Sequence, residues 1–259
     1  MKSPSFIAIL LSTLMVISIG AKVNDSPYFK TPKGYSFISP GQYQSKVGTV
    51  TMQAYFMSSC EITNGQYKLF LDDLKKQTDT TDYSIAKIKA DNWKTLKVFD
   101  GSEYSSWANY PVVNISKEAA ILYCQWLTKK LQAEDKNEHT IEVRLPTRNE
   151  WEWAAMGGIK DAVYPWNGPY LRNSKGCYLA HFKVLSQPYG PYKVALYSPN
   201  GYNLYDMAGN VAEMVSDADL VKGGSWNSLP YELKITEEAP YSVSPMVGFR
   251  PVITFITKH

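Results

Sequence analysis

The stretch VRLPTRNEWEWAAMGG, residues 143–158, holds a helix start, a helix stop and two tryptophans in one short span. Thr147 and Glu150 stand three apart. That spacing is a capping box: the hydroxyl accepts from the third helical N–H while the carboxylate reaches back to the cap. Gly157-Gly158 supplies the residues that adopt the left-handed turn at a helix end. The helix between them is short. Trp151 and Trp153 lie two apart, so they fall on different faces, one toward a core and one nearer the surface. Acidic Glu150 and Glu152 read as cap and helix-face residues rather than as a convergent catalytic pair.

Working outward, each side tells a different story. Upstream, YPVVNISKEAAILYCQWLTKKLQAED has Ser116 as an N-cap. Ala120, Tyr123, Cys124, Leu127 and Leu131 then form an apolar stripe at helical spacing, in which Cys124 reads as a small buried hydrophobe. Further back, Thr63-x-x-Gln66 is a second capping box, followed by Tyr67, Phe70, Leu71 and Leu74 on one face of a helix over residues 64–76. VGTVTMQAYF, residues 47–56, alternates and reads as a strand. Residues 22–46 read as an irregular N-terminal segment. Residues 77–110 read as a loop-rich insertion and a candidate contact surface. Residues 133–141 read as a polar turn with a solvent-facing His139. Beyond Tyr164 Pro, Gly, Asn and Tyr dominate, and short strands within ordered loops are expected. Asp217 and Asp219 read as turn residues. One domain, residues 47–259, is the simplest partition.

Composition narrows the function classes. The chain has 259 residues and a formal net charge of +3, with no dense Lys/Arg stripe, so nucleic acid is not an expected partner. Aromatics reach 14%, with 19 Tyr and 7 Trp, which suits a loop-rich fold and a binding surface. Residues 1–21 read as a secretory signal peptide: one Lys, an apolar run from Phe6 to Ile19, then Gly20 and Ala21. The mature chain is therefore expected outside the cytoplasm, periplasmic or secreted, with no membrane span after signal removal. Disulfides are permitted there. Three cysteines, Cys60, Cys124 and Cys177, leave at least one unpaired, and no CxxC is present. His139, His181 and His259 are scattered, which argues against a local histidine metal motif.

Six segments then occur in a recognisable order: FMSSCEITNGQYKLFL, YPVVNISKEAAILYCQWL, VRLPTRNEWEWAAMGG with YPWNG, SPNGYNLYDMAGNVAEM, VKGGSW and VGFRPVI. This order resembles the formylglycine-generating enzyme family, the sulfatase-modifying factor domain, over roughly residues 47–256. The resemblance implies an α+β fold, loop-rich, C-type-lectin-related and low in regular secondary structure. It implies copper(I) held by two cysteines after a Gly-Gly-Ser-aromatic turn. Here the turn is Gly223, Gly224, Ser225 and Trp226, but the cysteine positions carry Ser228 and Leu233. A hydroxyl is a poor copper(I) ligand and Leu cannot be one. Copper is not expected, and Ser225 alone has no evident base beside it. The resemblance also implies a calcium site at Asp206, Gly209, Val211 and Glu213, so calcium is a candidate cofactor. A second family calcium site looks lost near His181 and Ser186. The family partner of Cys124 would fall at Pro251. A Cys60–Cys177 bridge stays open. Ergothioneine-type sulfoxide synthases, another branch, need a three-His iron site that this chain lacks.

The resulting expectation is a non-catalytic structural or interaction protein of the cell envelope. It is similar to family members in gliding motility and type IX secretion, and its partners would be envelope or secreted proteins. Two alternatives remain at this stage: an extracytoplasmic enzyme with altered chemistry on the same scaffold, and a lectin-like ligand-binding module. The oligomeric state is open.

Overall fold

The computed structural model describes residues 30–88, 107–136, 139–187 and 189–256. Its main sheet has the order β1-β4-β10-β5, all antiparallel. These strands are β1 (Tyr35–Ile38), β4 (Tyr55–Ser58), β5 (Thr140–Arg144) and β10 (Val252–Ile256). Strands from both ends of the chain therefore meet at its centre. Side chains alternate across the sheet. Phe56 and Ile253 face one core, with α1 (Asn64–Leu74) and α3 (Lys117–Glu134) packed over it. Tyr55, Met57 and Val252 face the other core, built on α4 (Arg148–Ala155). With both faces covered, all four residues of β4 are buried.

Two strands arise where an irregular segment was expected. Residues 22–46 contain β1 and also β2 (Gly41–Ser45), which forms a two-stranded hairpin with β3 (Gly48–Met52). The strand expected over residues 47–56 is two strands, β3 and β4, in different sheets. Their alternation runs on through the two residues between them, so the pattern alone does not reveal the break. The expected insertion at 77–110 contains a short helix, α2 (Thr81–Ala86); residues 89–106 of it lie outside the described residues.

The helix caps follow the sequence. Thr63 and Thr147 each complete a capping box, with Gln66 and Glu150 as the third helical residues, and Ser116 caps α3. Glu150 is held further by two hydrogen bonds of 2.7 Å from Arg144. Burial alone raises its pKa, but the Arg144 hydrogen bonds and the Thr147 N–H outweigh burial and hold the carboxyl below its ordinary value. Trp151 is fully buried, whereas Trp153 is half-buried against Tyr43 of β2 at 5.9 Å between rings. Residues Gly157 and Gly158 end the helix with φ of 59° and 78°.

His139 is not solvent-facing as expected. Its side chain is only 20% exposed, bonded to Asp135, with its ring edge-on to Phe255 of the sheet. The three cysteines are free. Cys124 is buried in the helical core, Cys60 is half-buried and Cys177 is exposed, so the open Cys60–Cys177 bridge does not form.

A third, small sheet has the order β8-β7-β6-β9. It comprises β6 (Ala212–Met214), β7 (Leu220–Lys222), β8 (Glu238–Pro240) and β9 (Val247–Gly248). The β6 and β7 strands are antiparallel, and β9 joins β6 in parallel. This sheet carries the Gly-Gly-Ser-Trp turn at the end of β7.

Candidate functional site: a thiol-free cleft above a buried arginine

The turn after β7 is built by exclusion of side chains. Gly223 (φ 86°) faces the Trp151 ring, where an added Cβ would lie 2.9 Å from an indole carbon. Gly224 (φ 67°) faces Leu233 at the same distance. Both the positive φ and the crowding require glycine here. Trp226 is 3% exposed. Its indole N–H donates to Pro245 O at 3.1 Å, its backbone N–H donates to Asn210 O at 2.8 Å, and Tyr189 packs edge-on against the ring.

Around this turn lie two clefts. One, of about 350 Å³, is lined by Ser225, Ser228, Tyr231, Glu232, Glu237 and Glu238 among others. The other, of about 530 Å³, is lined by Phe182, Leu185, Tyr189, Trp226 and Leu229 among others. Asn227 borders both.

The two positions that would hold copper thiolates have separate fates. Ser228 stays at the cleft, where its Oγ accepts the Ser225 N–H at 3.0 Å and closes the turn. Leu233 has left it. This residue ends a 3-10 turn, Pro230–Leu233, and is fully buried with Tyr164, Phe182 and Ala208. No cysteine lines either cleft. Ser225 Oγ accepts the Asn227 N–H at 3.3 Å, and no His lines the cleft to act as its base.

Beneath the turn sits a group that the sequence reading missed. Arg250, fully buried between β9 and β10, donates to Glu213 Oε2 at 2.7 Å and to Glu213 Oε1 at 2.6 Å. Its remaining N–H groups reach the carbonyls of Ser58, Ser59 and Tyr205. Five donors thus find five acceptors. Burial works against the charge, but Glu213 outweighs it and raises the guanidinium pKa above its ordinary value. Glu213 Oε2 also accepts the Trp151 indole N–H at 2.7 Å.

The same contacts involve residues named for calcium in the sequence. Both oxygens of Glu213 are committed to Arg250, so a cation bound there would have to share them with a guanidinium. Glu213 serves as the counter-ion of Arg250. Asp206 Oδ2 accepts the Ala195 N–H at 2.6 Å. Gly209 serves the backbone, donating to Gly223 O at 2.9 Å, and a Cβ there would overlap the His181 carbonyl. Val211 is buried apolar. Among the described residues no group of three or more His, Cys, Asp or Glu is arranged to hold a metal ion.

Two more buried carboxylates surround the arginine. Glu61 lies with its Oε2 4.0 Å from Arg250 and without a hydrogen-bond partner, while Asn210 donates to its Oε1 at 2.9 Å. Burial first, and then the neighbouring Asp206, raises the Glu61 pKa well above the carboxylate range. Burial pushes Asp206 up to about 6, with the Ala195 N–H and Arg250 pulling the other way. Burial, and after it Glu61, lifts the Cys60 thiol to about 12, so it is inert as a nucleophile at neutral pH.

Asn210 is the structural hub (φ 56°): besides Glu61 it holds Tyr192 N–H, Trp226 N–H and His181 O. His181 is buried, its Nε2–H donating to Gly190 O at 2.8 Å, and burial lowers its pKa, so it stays neutral. Among the other carboxylates, Glu152 is not a simple helix-face residue but pairs with buried Lys222 at 2.8 Å. Asp217 accepts the Arg148 N–H at the start of α4, and Asp219 pairs with Lys117. Glu61, Asn210 and Arg250 were legible only as members of the segments CEIT, GNVAE and GFR.

Comparison with known proteins agrees with this geometry. The bovine protein named inactive C-alpha-formylglycine-generating enzyme 2 is 32% identical over 171 residues, covering 58% of this chain and 52% of that protein. The chain thus spans about half of that relative's length. Mouse formylglycine-generating enzyme is 25% identical over 201 residues, covering 65% of this chain and 50% of that protein. In fold, PvdO from Pseudomonas aeruginosa superposes with a TM-score of 0.62 at 19% identity, over 90% of this chain and 99% of that one. The pattern of the sulfatase-modifying factor enzyme 1-like domain matches residues 23–255, and the chain belongs to that family.

Proposed function

We propose that this chain is a non-catalytic, extracytoplasmic binding protein on the formylglycine-generating enzyme scaffold, with an envelope or secreted protein as its partner. One observation carries the reading. The two thiolate positions are filled by a hydroxyl that closes the turn and by a leucine sealed in a core. The family's copper(I) site rests on two thiolates, and no cysteine lines the cleft. The similarity to a relative named as inactive supports it. The apolar segment at residues 1–21 supports export, and among the described residues no helix is long and apolar enough to cross a membrane.

Altered chemistry in the same cleft has less support, because no His lines the cleft to activate Ser225. The test is direct. Purified protein is incubated with copper(I) and a cysteine-containing peptide, and aldehyde is read by hydrazide capture and mass spectrometry. No aldehyde above the no-protein control is expected, and conversion of the peptide would sink the proposal.

A further inference from the structure

A third cleft lies away from the turn, between the β2–β3 hairpin and the residues that follow α4, and has a volume of about 590 Å³. It shares no lining residue with the two clefts beside Trp226. Trp153 forms part of its wall, and the indole is fixed there by three neighbours. Its N–H donates to Ser39 O at 2.9 Å, and Tyr43 stacks against it with 28° between the ring planes. Gly41 completes the seat: an added Cβ would lie 2.7 Å from an indole carbon, although its φ is outside the left-handed region. The ring, and not the backbone, therefore requires glycine at 41. A ring held this firmly loses little further freedom when a ligand packs on it. Met156 and Ile159 extend the apolar part of the wall. Its polar part comes from Gln42, Gln44, Lys160 and Asp161, all exposed. Gln44 donates to Thr49 Oγ1 at 2.6 Å, whereas the side chains of Gln42, Lys160 and Asp161 make no hydrogen bond or ion pair among the described residues. One cation and one anion offset each other, so the cleft attracts neither sign of charge strongly.

We propose that this cleft binds a neutral oligosaccharide, one sugar ring lying against the Trp153 indole and its hydroxyls meeting Gln42, Lys160 and Asp161. A pyranose has an apolar face of C–H groups and a rim of hydroxyls that both donate and accept. The exposed part of the indole suits the first. The Gln42 amide offers donors and an acceptor, Lys160 only donors and Asp161 only acceptors, so adjacent hydroxyls find partners of both kinds. A flat aromatic ligand would match the indole and leave that polar rim without partners. A cleft of this volume has room for about two linked sugar rings. Among the described residues Asp161 is the only carboxylate lining it, which is too few oxygens for a calcium ion to bridge protein and sugar. Recognition here is therefore independent of metal.

The test titrates the purified full chain with maltotriose, cellotriose and triacetylchitotriose, with glucose as a single ring and with adenosine as a flat aromatic, read by calorimetry and saturation-transfer NMR. At least one trisaccharide is expected to bind with a Kd of about 1 mM or tighter, and more tightly than glucose or adenosine. Chelator is expected to leave that affinity unchanged. The double variant Gln42→Ala/Asp161→Asn is expected to lose at least about tenfold, since it removes one hydrogen-bonding group and the charge on another. Both residues are exposed, and Asn tolerates the left-handed backbone of Asp161 (φ 55°), so the variant is expected to melt within about 2 °C of the native chain. No binding of any trisaccharide at about 10 mM overturns the proposal. So does preference for adenosine, loss of binding with chelator, or full affinity in a folded double variant. Because this cleft shares no residue with the turn, each of those results leaves the non-catalytic reading standing and removes only this one.

Discussion

Two buried cations, Arg250 and Lys222, lie under the same turn and are treated differently by the fold. Lys222 is one charge facing one charge: its ammonium donates to Glu152 Oε1 at 2.8 Å, and Tyr43 donates to the other oxygen at 3.2 Å. Burial lowers the lysine pKa, and Glu152 works to restore it. Arg250 instead stands among three carboxylates, of which only Glu213 is fully paired. Glu61 keeps an unpartnered oxygen and Asp206 an upshifted pKa. The lysine pair is balanced and local to two elements. Arginine ties β4, the Tyr205 loop and β6 into one piece, at the cost of excess negative charge. A planar fork with five donors can bridge several segments, which an ammonium cannot do as well.

The largest break in this comparison should come from Arg250→Ala. It leaves Glu213 buried without its partner and frees three backbone carbonyls, so a loss of about 3–5 kcal/mol is expected in urea unfolding. A loss below about 1 kcal/mol would show that the arginine is not the tie described here. Lys222→Met should cost less, about 3 kcal/mol, because only Glu152 is stranded. The double variant Lys222→Met/Glu152→Gln should recover most of that loss, since removing both charges also removes the desolvation penalty. A double variant as unstable as the single one would contradict the balanced-pair description.

The excess charge around Arg250 predicts a pH dependence of definite sign. Asp206 has a folded pKa of about 6, above its ordinary value of 3.8. Between those values the folded chain holds more protons than the unfolded one. Its contribution therefore favours folding at low pH and is lost as pH rises from about 4 to about 6. On the order of 3 kcal/mol is involved, because each pKa unit corresponds to about 1.4 kcal/mol. Asp206→Asn should flatten that limb of the stability–pH curve; an unchanged limb assigns it to other groups. The smallest effect is expected from metal. With Glu213 committed to Arg250, calcium or chelator should move Tm by less than about 1 °C. A large calcium shift would mean that the guanidinium yields its carboxylate to a cation.

Much of the local architecture was legible before the fold. Thr63–Gln66 and Thr147–Glu150 announce their helices because a capping box is made within four consecutive residues. Trp151 and Trp153 separate as helical geometry requires. The missed strands show the opposite case. The β1 and β2 strands are short and sit among prolines and glycines, and they exist because β4 and β3 pair with them. Residues 47–56 alternate without interruption, yet the chain changes sheets at Gln53–Ala54. Period-two patterning cannot register such a change. His139 was misplaced for a similar reason, since Phe255, which covers it, lies in the last strand.

The sequence by itself determined that no cysteine follows the Gly-Gly-Ser-Trp turn: Ser228 and Leu233 stand where the family resemblance implies thiolates, and neither is a soft ligand. It also determined the helix starts and the glycine turn at 223–224. Only the tertiary structure decided what the remaining acidic residues do. Glu213 became the counter-ion of Arg250, and Glu61 met Asn210 across 149 positions of chain. Hydrogen bonds within one turn are fixed by neighbouring residue types. A buried charge, by contrast, takes whichever partner the closed fold brings within about 3 Å, and no short window of sequence contains that information.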